Sequence, residues 1–183
     1  FTLSFIWRWK NWKNGWVTQE VQRNYLEINS IQDLNEVIEP NRDYSLNLLE
    51  PTNFQLNKFF YKNIGKKHKW IDRLVWADVQ WINYVSSEKV KTYVFKFKDD
   101  LAGFFELISH IEKKEVEIAY FGLLEEFQNK KLGSYLLSQA IQKSFKENID
   151  RVWLHTCSLD HKNALNNYIA RGMKIFKTET IKI

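Results

Sequence analysis

Cysteine and proline are scarce in this chain. Its 183 residues include one cysteine, Cys157, and two prolines, so an internal disulfide is excluded. The absence of a disulfide fits a reducing compartment, and we expect a cytoplasmic protein. The low proline content and an aromatic content of 16% exclude a disordered chain. A chain of this length is expected to form one domain with a substantial core.

Long hydrophobic runs and metal-ligand patterns are also missing. No stretch approaches the length of a membrane span without a charge, so we expect no transmembrane segment. We expect no metal site either, because ligand spacing is lacking among the four histidines, His68, His110, His155 and His161. The P-loop pattern and the G-x-G-x-x-G fingerprint are absent, which disfavours mononucleotide and nicotinamide sites.

The charge is positive and one end of the chain is unusual. A net charge of +5 favours an anionic ligand such as a phosphorylated coenzyme, nucleic acid or an anionic membrane. Residues 1–24 hold half of the eight tryptophans among basic residues. Such a segment can lie at a membrane interface or stack on nucleic acid, and packing on the domain is the simpler interpretation. We assign residues 1–24 to an N-terminal extension and residues 25–183 to a single domain.

Hydrophobic periodicity predicts the order of elements. In the first part we expect a strand at 24–29, a helix at 30–38 capped by Ser30, a helix at 53–65, and a helix at 73–85 with Val75, Val79 and Ile82 on one stripe. A three-stranded meander then covers 91–97, 101–111 and 115–123. After it we expect a helix at 130–148, a strand at 151–157, a helix capped by Asp160 that ends at Gly172, and one or two final strands. This order predicts an α/β fold with a mixed, mostly antiparallel central sheet flanked by helices.

The stretch "QNKKLGS" (128–134) joins a strand to a helix. A helix N-terminus offers unpaired N–H groups and a partial positive charge, so it binds phosphate well. Lys130 and Lys131 add full charges, and Gly133 lets the backbone approach a ligand closely. A lysine pair before one glycine is weak evidence by itself.

Two motifs together resemble the GNAT superfamily of acetyl-CoA-dependent N-acetyltransferases, over roughly 25–183. That superfamily carries Q/R-x-x-G-x-G/A after its fourth strand, and here Gln128 to Gly133 occupy this position. It also carries N-x-A-x-x-x-Y ahead of a Gly-hydrophobic pair, which matches Asn163, Ala164, Tyr168 and "GM". The run "RVWLHTCSLDH" is similar to a bacterial subgroup whose members lack assigned substrates.

The resemblance implies a coenzyme site. The backbone of Phe121, Gly122 and Leu123 would bind the pantetheine arm, and Asn163 would contact the coenzyme from the other side. The pyrophosphate would lie on the amides of Gln128, Asn129, Lys130, Lys131, Leu132, Gly133 and Ser134. Lys131 departs from the family, because it stands where a glycine is usual. A lysine disfavours positive φ, although its charge could pair with a phosphate.

The chemistry requires a proton acceptor, because an amine attacks a thioester only when neutral and an alkylamine has a pKa of about 10. Glu117 matches the glutamate that some family members use as base; a solvent-facing strand residue is the other interpretation. His155 and His161 are alternative bases. Tyr168 matches the tyrosine that protonates or hydrogen-bonds the CoA sulfur. Cys157 is interpreted as structural.

We therefore expect an N-acetyltransferase that moves an acetyl group from acetyl-CoA to a primary amine by direct attack in a ternary complex. A non-catalytic acyl-CoA-binding module is the first alternative, suggested by Lys131. A nucleic-acid- or membrane-associated protein, suggested by residues 1–24, is the second. The expected partners are coenzyme A and an amine acceptor, with no metal, in a monomer or homodimer. Trp70, Trp76 and Trp81 either line the acceptor side or lie in the core, where we expect at least two of them.

Overall fold

The computed structural model describes residues 19–38, 43–145 and 148–182; the four tryptophans of the predicted extension lie outside them. The helices are α1 (Phe54–Gly65), α2 (Asp78–Val85), α3 (Leu132–Ser144) and α4 (Ala164–Ala170). The strands are β1 (Glu20–Ile28), β2 (Tyr44–Leu48), β3 (Val90–Phe97), β4 (Asp100–His110), β5 (Glu115–Leu123), β6 (Arg151–Cys157) and β7 (Lys174–Lys182).

The seven strands form one sheet in the order β2-β3-β4-β5-β6-β1-β7. Every neighbouring pair is antiparallel except β5 and β6, which run parallel. Helices cover both faces of the sheet. Successive residues of a strand point to opposite faces and therefore pack against different helices. Phe105 packs in the cluster that includes α3 and α4, whereas its neighbour Phe104 packs with α1. The predicted fold, a mixed and mostly antiparallel sheet flanked by helices, is confirmed.

The sheet opens in its middle. β5 and β6 pair only over Glu115–Glu117, opposite Arg151–Trp153. Beyond this point β5 stays paired with β4 and β6 stays paired with β1, so the two strands separate. A bulge in β5 leaves Ala119 without an opposite residue on β4, and bulges bend a strand and increase its twist. One edge of β5 is therefore unpaired from Ile118 to Leu123 in the part of the chain that the structure describes.

A buried ion pair holds the loop between α1 and α2. The guanidinium of Arg73 lies 2.9 Å from the carboxylate of Glu106 on β4, and the two side chains are 7% and 1% exposed. Glu106 also accepts hydrogen bonds from Asn57 (2.7 Å) and Tyr84 (2.9 Å). The guanidinium faces five aromatic rings at 3.9 to 5.8 Å from their centroids, those of Tyr61, Trp76, Trp81, Tyr84 and Tyr120. Arg73 is thus neutralised and enclosed, as a buried charge requires.

Several predicted helices are wrong in extent. The helix expected at 130–148 is α3, which spans only Leu132–Ser144. The helix expected at 30–38 is a single 3-10 turn, Ile31–Asp33, although Ser30 does cap it. Leu34 is extended, and the N–H groups of Asn35 and Val37 donate to Arg171 and Ser138 instead of to a helix. These long-range hydrogen bonds satisfy the backbone that a helix would have satisfied.

The helix expected at 73–85 begins only at Asp78, because Arg73 lies in the turn that reaches Glu106. Its predicted stripe is wrong as well: Val79 and Ile82 are exposed, as is Val75, whereas Trp81 and Val85 are buried.

The sequence does not predict β2, and β1 begins at Glu20, before the alternation expected from residue 24. No helix among the described residues is long and apolar enough to cross a membrane.

Asp160 does not cap α4, which begins at Ala164. Its carboxylate accepts hydrogen bonds from the Thr156 hydroxyl (2.5 Å) and the Cys157 N–H (3.0 Å) instead. Asp160 therefore closes the turn after β6. Gly172 does end α4, at a φ of 98°.

We expect Glu106→Gln to lower the free energy of unfolding by about 3–5 kcal/mol, because Arg73 would stay buried without a counter-charge. Lys58→Gln is the matched control. It removes an ion pair of similar length (2.8 Å) to Asp78 that is partly solvated, and should cost about 1 kcal/mol or less. Urea unfolding measures both, and equal losses would contradict the role assigned to Arg73 and Glu106.

Candidate active site

The opening between β5 and β6 is a cleft of about 570 Å³. Its sides are β5 from Ile118 to Leu123 and the residues Leu154, His155 and Cys157 of β6. At its helix end it is lined by Gln128, Asn129, Lys131, Gly133, Ser134 and Asn163. At its β1 end it is lined by Val21, Arg23, Lys69, Asp72, His155 and Ile181.

The helix end is built by the turn after β5. A 3-10 turn at Glu125–Phe127 is followed by Gln128, whose side-chain amide donates to the Leu123 carbonyl at 3.1 Å. α3 then starts with Lys131 as N-cap residue and without a side-chain cap. The first N–H groups of a helix lack partners within the helix. The start of α3 can therefore bind an anion in the cleft.

Lys131 adopts the backbone that favours glycine. Its φ and ψ are 60° and 6°, in the left-handed region, and Asn129 has the same positive φ. For a residue with a Cβ this conformation costs about 1–2 kcal/mol. The turn thus keeps a geometry that suits glycine, even though the sequence supplies lysine.

Gly133 is not required by protein packing. A Cβ at this position would lie 3.9 Å from its nearest neighbours, Asn167 and Leu123, which is ordinary contact. At Gly122, in contrast, a Cβ would come within 2.5 Å of Ile64. Gly122 therefore serves packing against α1, whereas the open space at Gly133 faces the cleft and suits a closely approaching ligand.

Asn167 is a site residue that the sequence did not reveal. Its side chain accepts from the Ser134 hydroxyl at 2.9 Å and donates to the Gly133 carbonyl at 3.2 Å. It thereby ties α4 to the first turn of α3. The only sequence signal is its position one helical turn after Asn163, where a side chain shares the same helix face.

Tyr168 lines the cleft beside this contact. It is 7% exposed, and its ring centroid lies 6.4 Å from that of Phe121. Burial raises the pKa of the phenol well above its ordinary value, so it stays protonated at neutral pH. The hydroxyl can donate a hydrogen bond into the cleft.

Glu117 does not line the cleft. It is the last β5 residue paired with β6, and its carboxylate lies 3.6 Å from the His110 imidazole, beyond hydrogen-bond distance. Burial raises the pKa of Glu117, although His110 opposes this shift. His155, in contrast, lines the cleft.

His155 is exposed within the cleft, yet the pKa of its imidazole is lowered from its ordinary value, first by desolvation from the surrounding walls and then by the charge of Arg23. The imidazole is therefore neutral at pH 7 and able to accept a proton. His161 also lines the cleft, but its Nδ1 accepts from the N–H of Asn163 at 3.2 Å. Desolvation raises the pKa of Cys157, which fits the structural interpretation of that thiol.

Most of the predicted coenzyme-binding residues meet in the cleft. Those that line it are Phe121, Gly122, Leu123, Gln128, Asn129, Lys131, Gly133, Ser134 and Asn163. Lys130 does not, since its amine lies over the Phe127 ring at 5.4 Å, and Leu132 is buried in the core. Of the three tryptophans, only Trp81 is fully buried, fewer than expected, while Trp70 lines the cleft.

Comparison with known families gives one match. The family model described as the acetyltransferase (GNAT) family matches residues 51–173, about two thirds of the chain. The matched range includes β3 to β6, the start of α3 and α4. No curated protein sequence matches the chain.

Solved structures share the fold at low sequence identity. A GCN5-related N-acetyltransferase from Sphaerobacter thermophilus has a TM-score of 0.68 at 13% identity, over 90% of this chain and 52% of that one. A functionally unknown conserved protein from Staphylococcus epidermidis has a TM-score of 0.61 at 19% identity, over 90% and 61%. An aminoglycoside acetyltransferase from an uncultured soil sample has a TM-score of 0.60 at 11% identity, over 73% and 90%. The chain thus spans less than two thirds of the first two structures.

We expect Lys131→Gly to raise the free energy of unfolding by up to about 1 kcal/mol. It removes the left-handed strain of about 1–2 kcal/mol, and the greater freedom of the unfolded chain offsets about 0.4–1 kcal/mol of this gain. Lys130→Gly is the control with the same loss of charge at a residue without positive φ, and it should lower stability. Urea unfolding measures the stability of both variants. If Lys131→Gly is less stable than Lys130→Gly, the backbone of Lys131 is not strained.

Proposed function

The chain belongs to the GNAT acetyltransferase family, and from that premise we propose that it moves an acetyl group from acetyl-CoA to a primary amine. The amine attacks directly within a ternary complex, without an acyl-enzyme. One observation carries the proposal: the unpaired edge of β5 and the uncapped start of α3 meet in a single cleft. An extended arm that ends in a pyrophosphate is the ligand that suits both.

The residues present fit coenzyme A. The free edge from Phe121 to Leu123 offers backbone groups to the amides of the pantetheine arm, as a strand edge does for any extended amide chain. The start of α3 and the charge of Lys131 suit the pyrophosphate. Asn163 faces the same space from α4. When bound, the coenzyme supplies the acetyl group as a thioester.

His155 is the proposed proton acceptor. A neutral amine forms the new C–N bond to the acetyl carbon, and the proton that this nitrogen loses passes to the imidazole. Since the C–S bond breaks in the same reaction, the departing sulfur needs a proton or a hydrogen bond. Tyr168 is the proposed donor, because its buried phenol stays protonated. Glu117 remains the alternative acceptor, at a place that does not line the cleft.

A second function keeps the coenzyme and omits the reaction. The observation that favours it is Lys131 in the cleft lining, which puts a Cβ and a long side chain where the family usually has glycine. A chain under selection only to bind an acyl-CoA would tolerate imperfect placement of the thioester. Such a module would bind acetyl-CoA and release no thiol with any amine.

We expect calorimetric titration with acetyl-CoA to give one saturable site, and Gly133→Val to weaken it more than tenfold, because the branched side chain would block the approach of the phosphates. Gly133→Ala should keep most of the affinity, since the family motif also carries alanine at this position. The added methyl has room within the protein, and alanine favours a helix over glycine by about 0.5–1 kcal/mol. Valine is also a better helix former than glycine, so both variants should unfold at the same or a higher urea concentration. Gln139→Ala, in the same helix but outside the cleft lining, is the control.

Loss of affinity without loss of stability would support the placement of the phosphates. Unchanged affinity in Gly133→Val would refute that placement. If the folded wild-type protein binds neither acetyl-CoA nor CoA, the proposed transfer reaction is wrong as a whole.

We expect kcat/KM for the best amine in a screen to fall on the acidic side with an inflection below pH 6.5, the ordinary pKa of histidine. Desolvation and Arg23 lower the pKa of His155, so the neutral form that accepts a proton is lost only below that value. His155→Gln should remove the inflection and lower kcat by about 100-fold or more. Glu117→Gln should keep both, and the reverse result would assign the base to Glu117.

A further inference from the structure

Arg23 is a charged side chain in the cleft without a hydrogen-bond or ion-pair partner among the described residues. It lies on β1 and lines the β1 end, and its Nε is buried without a hydrogen bond. No ion pair among the described residues includes it. The residue as a whole is half-buried, but its buried Nε has no acceptor, so the guanidinium can still donate to an anion.

The carboxylates around Arg23 are held elsewhere. Glu179 is its cross-strand neighbour on β7, but it accepts from the Tyr25 hydroxyl at 2.5 Å and from Lys177 at 2.8 Å. Asp160 is engaged by Thr156 and the Cys157 N–H. Among the described residues, neither carboxylate forms an ion pair with Arg23.

Arg23 lies on the same face of the sheet as His155. It is opposite Cys157 on β6, and Tyr25 is opposite His155; residues two apart on a strand share a face. Asp72, from the loop between α1 and α2, lines the same cleft and also acts on the charge of His155. This end of the cleft therefore presents two cations, Arg23 and Lys69, and the carboxylate of Asp72 beside the proposed proton acceptor. Lys69 donates to the neutral side chain of Gln19 at 2.9 Å, whereas the Nε of Arg23 has no acceptor among the described residues.

We propose that Arg23 binds a carboxylate of the acceptor, and that the acceptor is an amine with a carboxylate close by, such as an amino acid. The planar guanidinium can hold a carboxylate by two parallel hydrogen bonds. Asp72 then suits the ammonium form of the same molecule as it enters. The inference rests on the proposed transfer reaction, because it names the acceptor of that reaction. Its test measures binding and does not require turnover.

A phosphate of the coenzyme is the other anion that Arg23 could meet. The start of α3 already offers N–H groups, and α3 packs on the face of the sheet that carries Leu26 and Leu154. Arg23 and His155 lie on the other face of the sheet. A carboxylate on the acceptor is therefore the favoured source, and coenzyme affinity separates the two.

The test uses products of the proposed reaction as probes. The N-acetyl derivatives of glycine, leucine, phenylalanine and glutamate are each compared with the corresponding carboxamide, by NMR titration of the full chain with and without CoA. We expect at least one acid to bind about tenfold or more tightly than its amide, as for a hydrogen bond to a charged group. Arg23→Gln should abolish this preference, and Arg23→Lys should restore part of it.

Lys182→Gln is the control, because it removes one exposed positive charge from β7 outside the cleft lining and should keep the preference. Equal binding of every acid and its amide to the wild-type protein would overturn the proposal. So would an Arg23→Gln variant that loses stability but keeps the preference, since Arg23 would then only balance Glu179.

Coenzyme titration distinguishes the two proposals. If Arg23→Gln weakens CoA and leaves the acid preference intact, Arg23 binds a phosphate and the acceptor inference fails. If CoA does not bind to any variant but the acid preference depends on Arg23, the carboxylate site is supported while the transfer reaction fails.

Discussion

The buried contact between Arg73 and Glu106 is the constraint on which the cleft depends. The loop between α1 and α2 has no regular structure to hold it, yet it contributes one wall through Trp70 and Asp72. Removing the loop from the sheet would leave Glu106 charged in the core, with only Asn57 and Tyr84 as partners. Since a buried charge without its partner is very unfavourable, the wall stays in place. The aromatic rings around Arg73 close this contact to water.

Local patterns predicted the elements whose environment is simple. The strands β3 to β6 lie inside the sheet, where alternating apolar residues indicate the buried side chains. Their predicted bounds lie within one residue of the observed ones. The pattern failed where long-range bonds decide. Asn35 and Val37 donate to distant partners, and the outward face of α2 carries Val79 and Ile82, so an apolar stripe did not identify the buried side.

The site was predictable where it is contiguous in sequence. The turn from Gln128 to Ser134 and the pair Asn163 and Tyr168 follow from two motifs, and the fold brings them to one cleft. What the sequence could not tell is where β5 and β6 separate. Because the strands separate after Glu117 and Trp153, Glu117 remains within the paired region and His155 faces open space. Arg23, more than 100 residues away along the chain, reaches the same space only because β1 pairs with β6.

The separation of β5 and β6 also gives the cleft a direction. Its helix end is positive through the start of α3 and Lys131, which suits a phosphate. Its β1 end holds Arg23 and Asp72, which together suit a molecule with both signs of charge. The neutral His155 and the protonated Tyr168 line the same cleft. Charge alone would therefore direct an anionic coenzyme to the start of α3 and an acceptor with both signs of charge to Arg23 and Asp72. Both places border the cleft that His155 and Tyr168 line.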